Sequence, residues 1–250
     1  MSKNVKEYRL TQDGSYTLYS GEYDECYHST KDGALNESLH KHVIPAFSFA
    51  PKKSKLTILD ICFGLGYNTF ATIYYCMQNG IKIKLEIFSP ELDLRLVQSL
   101  KTFTYPKEFA VLKSIIDALS EKQRYEDDRL TIEILIGNAR ESIKEISKEI
   151  DIIYQDPFSP QKNSLLWTKE YFKDIYALAS KDVVLTTYSV ATPVRLGLYE
   201  SGFYVYEYTS EYTRSGTIAS KSKLPLKLID MELKKQRNPK AKSLRDDEYQ

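Results

Sequence analysis

The chain has 250 residues, 42% of them hydrophobic and 28% charged, with a net charge of +1. That size suits one α/β domain with a modest appendage and a sizeable core. The balance excludes a disordered chain, and no apolar run approaches the roughly eighteen residues a membrane helix needs. The stretch Met1 to Glu7 has no apolar segment of the export-signal kind, and Cys26, Cys62 and Cys76 are too few and scattered for a disulfide framework. A reducing cytoplasm and no membrane partner are expected.

In chain order, residues 1–50 read as a separate extension. Tyr16-Thr17-Leu18-Tyr19 and the turn-rich Lys31-Asp32-Gly33 predict short antiparallel strands. Asn36 to Phe49 predicts a helix capped by Asn36 and complicated by Pro45. Pro51 to Ser54 is a linker, and residues 51–220 form the main unit. Strand patterns at 56–61, 83–89, 131–136, 151–155, 182–188 and 203–209 alternate with helical patterns at 69–78, 92–101, 108–121, 139–147, 168–179 and 192–201. Such alternation predicts a mainly parallel sheet covered by helices. A further strand at 216–219 after a short connection predicts an antiparallel edge. Residues 221–250 are a basic tail, either a surface for a polyanion or a solvated end. The 20 tyrosines fall largely in strand patterns, where aromatic residues are favoured.

Chemistry concentrates at strand ends. Leu59-Asp60-Ile61-Cys62-Phe63-Gly64-Leu65-Gly66-Tyr67-Asn68 joins a strand to a helix through a glycine turn. A dinucleotide loop wants a third glycine, which is missing. S-adenosylmethionine has no phosphate and needs only room and polar groups, which Asp60, Gly64, Gly66 and Asn68 supply. Glu91 lies roughly 25 residues past Gly66, near the spacing of a ribose-binding carboxylate, with Pro90 ending the strand. Glu86 and Asp93 are its competitors. Asn138, after the third strand, either reads an adenine amino group or caps the next helix. Asp156 ends the fourth strand at the switch point of the sheet, as a site carboxylate or a helix cap. Lys162, Asn163 and Trp167 follow it, with Trp167 facing substrate or packing as core. His40 and His42 have no partners at zinc spacing, so no metal site is expected. His28 either lines the cleft or lies on the surface.

Phe63-Gly64-Leu65-Gly66-Tyr67-Asn68 resembles the Phe-Gly-x-Gly-x-Asn loop of MnmC-type tRNA methyltransferases. Asp156-Pro157-Phe158-Ser159-Pro160-Gln161-Lys162-Asn163, with Trp167, is similar to that family's Asp-Gly-Phe-x-Pro-x-Lys-Asn-Pro-x-x-Trp segment, with Pro157 in place of its glycine. Thr186 to Ala191, Val194-Arg195, Tyr23 to Tyr27 and Gly33 to Ser38 also match. The resemblance implies an α/β, Rossmann-like class I S-adenosylmethionine-dependent methyltransferase fold with a small β-rich N-terminal extension. It implies methyl transfer from S-adenosylmethionine to the aminomethyl nitrogen of a modified wobble uridine in tRNA, by a monomer without the flavin oxidase domain often fused in the family. Phe63, Ala139, Asp156, Pro157 and Phe158 then join the cofactor site. Lys162, Asn163, Tyr188 and Arg195 face the substrate, with Phe158 and Tyr188 shaping an apolar pocket, and Asp156 orients the amine or takes its proton. Spermidine-synthase-like aminopropyl transfer is the alternative enzyme, and a silent RNA-binding protein is the alternative of another class.

Overall fold

The computed structural model describes residues 6–249. Met1 to Val5, read above as carrying no export signal, and Gln250 at the end of the basic tail lie outside the described residues. Strands β1 (Lys6–Leu10), β2 (Tyr16–Ser20) and β3 (Glu25–Cys26) make a small antiparallel sheet in the order β1-β2-β3. Strand β1 escapes the sequence pattern because all five of its residues are exposed, so it has no buried alternation to read.

Helix α1 (Ala34–Glu37), a π-helical stretch (Ser38–Val43) and α2 (Ile44–Phe49) follow one another directly. The helix starts before the expected Asn36 cap. Gly33 is the N-cap, at φ 89°, and the Asn36 N–H donates instead to Asp13 Oδ2 at 2.9 Å. Pro45 has no N–H to donate and crowds the preceding turn. The wider π turn just before it, closed by the Ile44 N–H on the Leu39 carbonyl, carries the helix past it.

The main sheet has eight strands: β4 (Lys55–Ile61), β5 (Lys84–Glu91), β6 (Arg124–Glu126), β7 (Leu130–Ile136), β8 (Ile150–Gln155), β9 (Ala179–Thr187), β10 (Tyr204–Tyr208) and β11 (Gly216–Ser220). Their order is β10-β11-β9-β8-β4-β5-β7-β6. The pairings among β4, β5, β7, β8 and β9 are parallel. The expected antiparallel edge is β9-β11-β10. A second one, β6 against β7, is three residues long and too short to announce itself. The expected strand stop at Pro90 does not occur: β5 runs through Pro90 to Glu91 in register with Leu135 and Ile136. Proline forfeits only its own N–H, and its carbonyl accepts the Phe63 N–H at 3.1 Å.

Helices α3 (Tyr67–Gln78), α4 (Leu94–Ser99), α5 (Lys113–Lys122), α6 (Ala139–Ser142), α7 (Lys169–Leu178) and α8 (Thr192–Glu200) alternate with the strands. The single helix expected at 108–121 is a 3₁₀ stretch, Lys107–Leu112, followed by α5. Period-2 alternation along the central strands builds two cores. Leu56 and Ile58 of β4 join Phe70 and Ile116 on one face. Leu59 and Ile61 join Phe172 and Leu198 on the other.

The C-terminal segment is docked on this body. Leu228 bridges to Tyr206, and Met231, at the start of α9 (Met231–Arg237), is buried. The Lys169 N–H donates to the Leu244 carbonyl. Arg140 donates twice to the Asp246 carboxylate, each at 2.7 Å. Among the described residues no helix is long and apolar enough to cross a membrane.

Candidate active site

Strand β8 lies beside β4, with Asp60 opposite Tyr154, so the loops that leave their carboxyl ends meet. After β4 the chain passes through three left-handed residues: Cys62 at φ 67°, Gly64 at 54° and Gly66 at 73°. Gly66 is required twice over, because a Cβ there would lie 2.5 Å from Phe70 and 2.8 Å from Phe63. Cys62, which has a Cβ, holds the same backbone region at a cost on the order of 1–3 kcal/mol, a strain typical of ligand sites. Its thiol is pushed well above the usual range by burial, so it is no nucleophile.

A cavity of about 1050 Å³ opens over this turn, bordered by Tyr27, His28, Gly64, Glu91, Asn138 and Asp156 among others. Its volume is at the upper end for a small-molecule site. Glu91 is nearly buried and spans two turns: its Oε2 accepts the Gly64 N–H and its Oε1 the Asp93 N–H, both at 2.8 Å. Burial raises its pKa against those two bonds. Of its two competitors, Asp93 borders the same cavity and Glu86 does not. Glu86 pairs with Lys55 and Lys148. Asp93 caps α4 through the Leu96 N–H and pairs with Lys6. Asn138 caps the next helix, its Oδ1 accepting the Arg140 N–H, and with Ala139 it borders the cavity.

Asp156 is held from both sides. Asn68 Nδ2 donates to its Oδ2 at 2.9 Å, and His42 Nε2 lies 3.4 Å from its Oδ1. That second distance is a close polar contact and not an aligned hydrogen bond, since Nε2 has no hydrogen-bond partner. The other ring nitrogen of His42 faces Thr186 Oγ1 at 3.1 Å. Burial alone would raise the Asp156 pKa; His42, His28 and the Asn68 hydrogen bond outweigh it and hold the carboxyl below its usual range. Asn68 Oδ1, buried at the cavity edge, has no donor.

The loop after Asp156 is tied down at each step. The Trp167 indole N–H donates to the Phe158 carbonyl at 2.8 Å, Tyr188 OH to the Pro157 carbonyl at 2.9 Å, and the Ser159 N–H to Glu25 Oε2 at 2.9 Å. Phe158 stacks on Tyr23 with centroids 4.4 Å apart. The small sheet and this loop thus form one wall.

Of the residues singled out from sequence, Phe63, Gly64, Asn68, Glu91, Asn138 and Ala139 border the cavity, as do Asp156, Phe158 and Asn163. Gly66 and Pro157 lie behind it and shape its loops. Asp60 also lies behind: Thr69 Oγ1 donates to it at 2.8 Å and Asn68 Nδ2 approaches to 3.4 Å, and burial pushes its pKa up to about 7. Lys162 pairs with Asp24 outside the cavity. Tyr188 stands edge-on to buried Trp167 and does not reach the cavity, so the pocket expected between it and Phe158 is instead walled by Phe158, Tyr23 and Tyr27. Arg195, expected at the mouth, is buried; its guanidinium donates to Thr217 Oγ1 at 2.9 Å and the Gly216 carbonyl at 3.3 Å. Its one free-looking charge braces α8 to β11. His28, left open between cleft and surface, borders the cleft and is buried. His42 was missed, since its position behind Asp156 depends on the π turn. Among the described residues no group of His, Cys, Asp and Glu could hold a metal ion.

This donor set fits S-adenosylmethionine. Glu91 offers carboxylate lone pairs to a ribose diol, Asn68 Oδ1 is an unfilled acceptor for an amino group, and the Asp156 carboxylate stands at the cavity edge where a sulfonium can face it.

Comparison with known proteins is consistent with that fit. The sequence model of a family described as S-adenosyl-L-methionine-dependent methyltransferase matches residues 107–222. An uncharacterized protein of Methanocaldococcus jannaschii is 32% identical over 227 residues, covering 88% of this chain and 62% of that protein. A tRNA 5-methylaminomethyl-2-thiouridine biosynthesis bifunctional protein MnmC from Azoarcus sp. is 31% identical over 210 residues, 78% of this chain and 32% of that protein. The chain therefore spans about a third of the length of that bifunctional relative. The crystal structure of MnmC2 from Aquifex aeolicus matches with a TM-score of 0.86 at 33% identity, over 99% of this chain and 81% of that one. A probable spermidine synthase from Corynebacterium glutamicum matches at TM-score 0.57 over 98% and 94% of the two chains, with 14% identity, a likeness of fold alone.

Proposed function

We propose that this chain, which belongs to the MnmC-type family of S-adenosylmethionine-dependent methyltransferases, methylates the aminomethyl nitrogen of a modified wobble uridine in tRNA, giving 5-methylaminomethyl-(2-thio)uridine. The observation that carries the reading is the placement of Asp156: an ionised carboxylate fixed by Asn68 and His42 at the cavity edge, beside the glycine turn. The name of the MnmC relative, and the match to MnmC2, supply the substrate class.

Glu91 and the Gly64 turn would hold the ribose of S-adenosylmethionine, Asn138 and Ala139 its adenine, and Asn68 its amino-acid end. The bound cofactor supplies an electrophilic methyl group on a sulfonium. What the protein adds is position and exclusion of water, which are worth several kcal/mol for an in-line displacement. Asp156 accepts a hydrogen bond from the amine, aims its lone pair and balances the ammonium that forms. Because its pKa lies below the ordinary carboxylate range, it is a poor proton acceptor, and orientation is its role. Phe158, Tyr23 and Tyr27 keep the reacting centre in an apolar wall. Lys234 and Arg237, exposed on α9, would be the cations that meet RNA phosphates.

The test is methyl transfer in vitro. The purified chain, S-adenosylmethionine and tRNA bearing 5-aminomethyl-2-thiouridine should yield a wobble nucleoside heavier by one methyl group in mass spectrometry. An unaltered nucleoside would overturn the tRNA reading. Aminopropyl transfer from decarboxylated cofactor to a polyamine precursor would replace it with the spermidine-synthase-like alternative.

A further inference from the structure

The amine is an ammonium ion in neutral water, and Asp156 is a poor base for it. Resting on the methylation proposed above, we infer that His28 is the proton acceptor of the reaction, with Glu37 as the carboxylate that orients it.

His28 follows β3 and borders the same cavity as Asp156 and Asn68. Its backbone N–H is spent on Thr17 Oγ1 at 3.1 Å, which fixes where the ring starts. The ring meets the Tyr67 ring edge-on with centroids 4.9 Å apart. Its Nδ1 is buried without a hydrogen-bond partner and lies 3.9 Å from Glu37 Oε2. Glu37 is itself anchored: its Oε2 accepts the Ser29 N–H at 2.7 Å and its Oε1 the Lys41 ammonium at 2.9 Å. With the Nδ1 edge turned to that carboxylate, Nε2 is the ring nitrogen left for the cavity. General-base histidines have a buried carboxylate facing the far ring nitrogen; here Glu37 stands within about one ångström of that contact. An ordinary imidazole is a stronger base than an ordinary carboxylate by two to three orders of magnitude, and burial draws the His28 ring down only part of the way against three facing carboxylates.

The groups facing His28 come from every neighbouring element. Glu37 is on α1, His42 on the π turn, Asp156 after β8 and Asp13 before β2. Burial, the largest influence, lowers the His28 pKa, with the carboxylates of Asp156, Glu37 and Asp13 opposing. Burial thus disfavours the charged ring and leaves the imidazole free to accept a proton. As the substrate ammonium enters, one N–H proton passes to Nε2. The freed lone pair forms the new nitrogen–methyl bond while the methyl–sulfur bond breaks with its electrons left on sulfur. The imidazolium that results is stabilised by Glu37 and Asp156 and returns its proton to water. The products are a secondary ammonium, a neutral thioether and one released proton.

Single-turnover methylation of aminomethyl-uridine tRNA at saturating S-adenosylmethionine, from pH 6 to 9.5, tests this with the unaltered chain and His28→Gln. The variant should bind S-adenosylmethionine within threefold of the unaltered chain by calorimetry. It should lose at least about tenfold in rate at pH 7 and recover toward the unaltered rate at high pH, where the amine sheds its proton unaided. An unchanged rate, or a loss that stays constant with pH, overturns the assignment. Nitrogen NMR of the unaltered chain decides the case if the variant does not fold. A neutral His28 carrying its proton on Nδ1 at pH 7 supports the role, and a doubly protonated ring overturns it. No methyl transfer by the unaltered chain overturns the tRNA reading itself, which the variant's behaviour leaves alone.

Discussion

At the scale of single residues, the site separates groups that border the cavity from groups that hold them. Asp156→Asn keeps the Asn68 contact and the volume but loses the charge. It should lower single-turnover methylation by at least about tenfold, roughly 1.4 kcal/mol of transition-state stabilisation, with cofactor affinity unchanged; near-wild-type turnover would reduce Asp156 to a structural partner of Asn68 and His42. Glu91→Ala should cost on the order of 1.5–3 kcal/mol in cofactor affinity by calorimetry, both through the ribose and by freeing the Gly64 and Asp93 N–H groups. Asp60 makes a different forecast. Its folded pKa of about 7 lies above the unfolded value, so the folded state binds more protons between about pH 4 and 7 and loses stability as pH rises through that window. Asp60→Asn removes the titration. Relative to the unaltered chain, its stability in denaturant melts should improve from pH 4 to 7, by on the order of 1.4 kcal/mol for each pKa unit of the shift, and level off above. A pH-independent difference would mean that Asp60 stays ionised.

At the scale of elements, the legible parts were those whose burial repeats locally. The central strands β4, β8 and β9 are apolar runs, and the glycine turn and Asp156 sit at their ends, so fold and loop could be read together. Strand β1 has no buried face, β6 is three residues long, and the π turn answers a tertiary need around Pro45; none of these leaves a periodic trace. The same limit explains the side-chain errors. Which way Arg195 points is decided by the β11 strand it braces, and which carboxylate His42 meets is decided by a turn that no period announces. Arg195→Met is therefore a stability variant. It removes the guanidinium's bonds to Thr217 Oγ1 and the Gly216 carbonyl and should cost about 1–3 kcal/mol in denaturant melts, while the salt dependence of tRNA binding stays as it was. A flatter salt slope with unchanged stability would return Arg195 to the RNA surface.

At the scale of the whole molecule, the small N-terminal sheet and the eight-stranded sheet share one cavity between them. Lys6 of β1 pairs with Asp93, and Tyr8 stacks on Phe103 with centroids 5.3 Å apart. Strand β1 is an edge strand, bonded to β2 alone, so its amide protons exchange with solvent through local opening. Lys6 and Tyr8 of this strand border the cavity, so a ligand that leaves by its opening holds it shut. A ligand at a hundred times its dissociation constant adds about 2.7 kcal/mol to the closed form. Deuterium uptake in residues 6–10 should therefore slow by up to about a hundredfold when S-adenosylmethionine is added, although the strand lies outside the sheet whose loops grip the cofactor. Strand β1 becomes an occupancy gauge that works without any RNA, and equal uptake with and without cofactor would show that ligand leaves by another door.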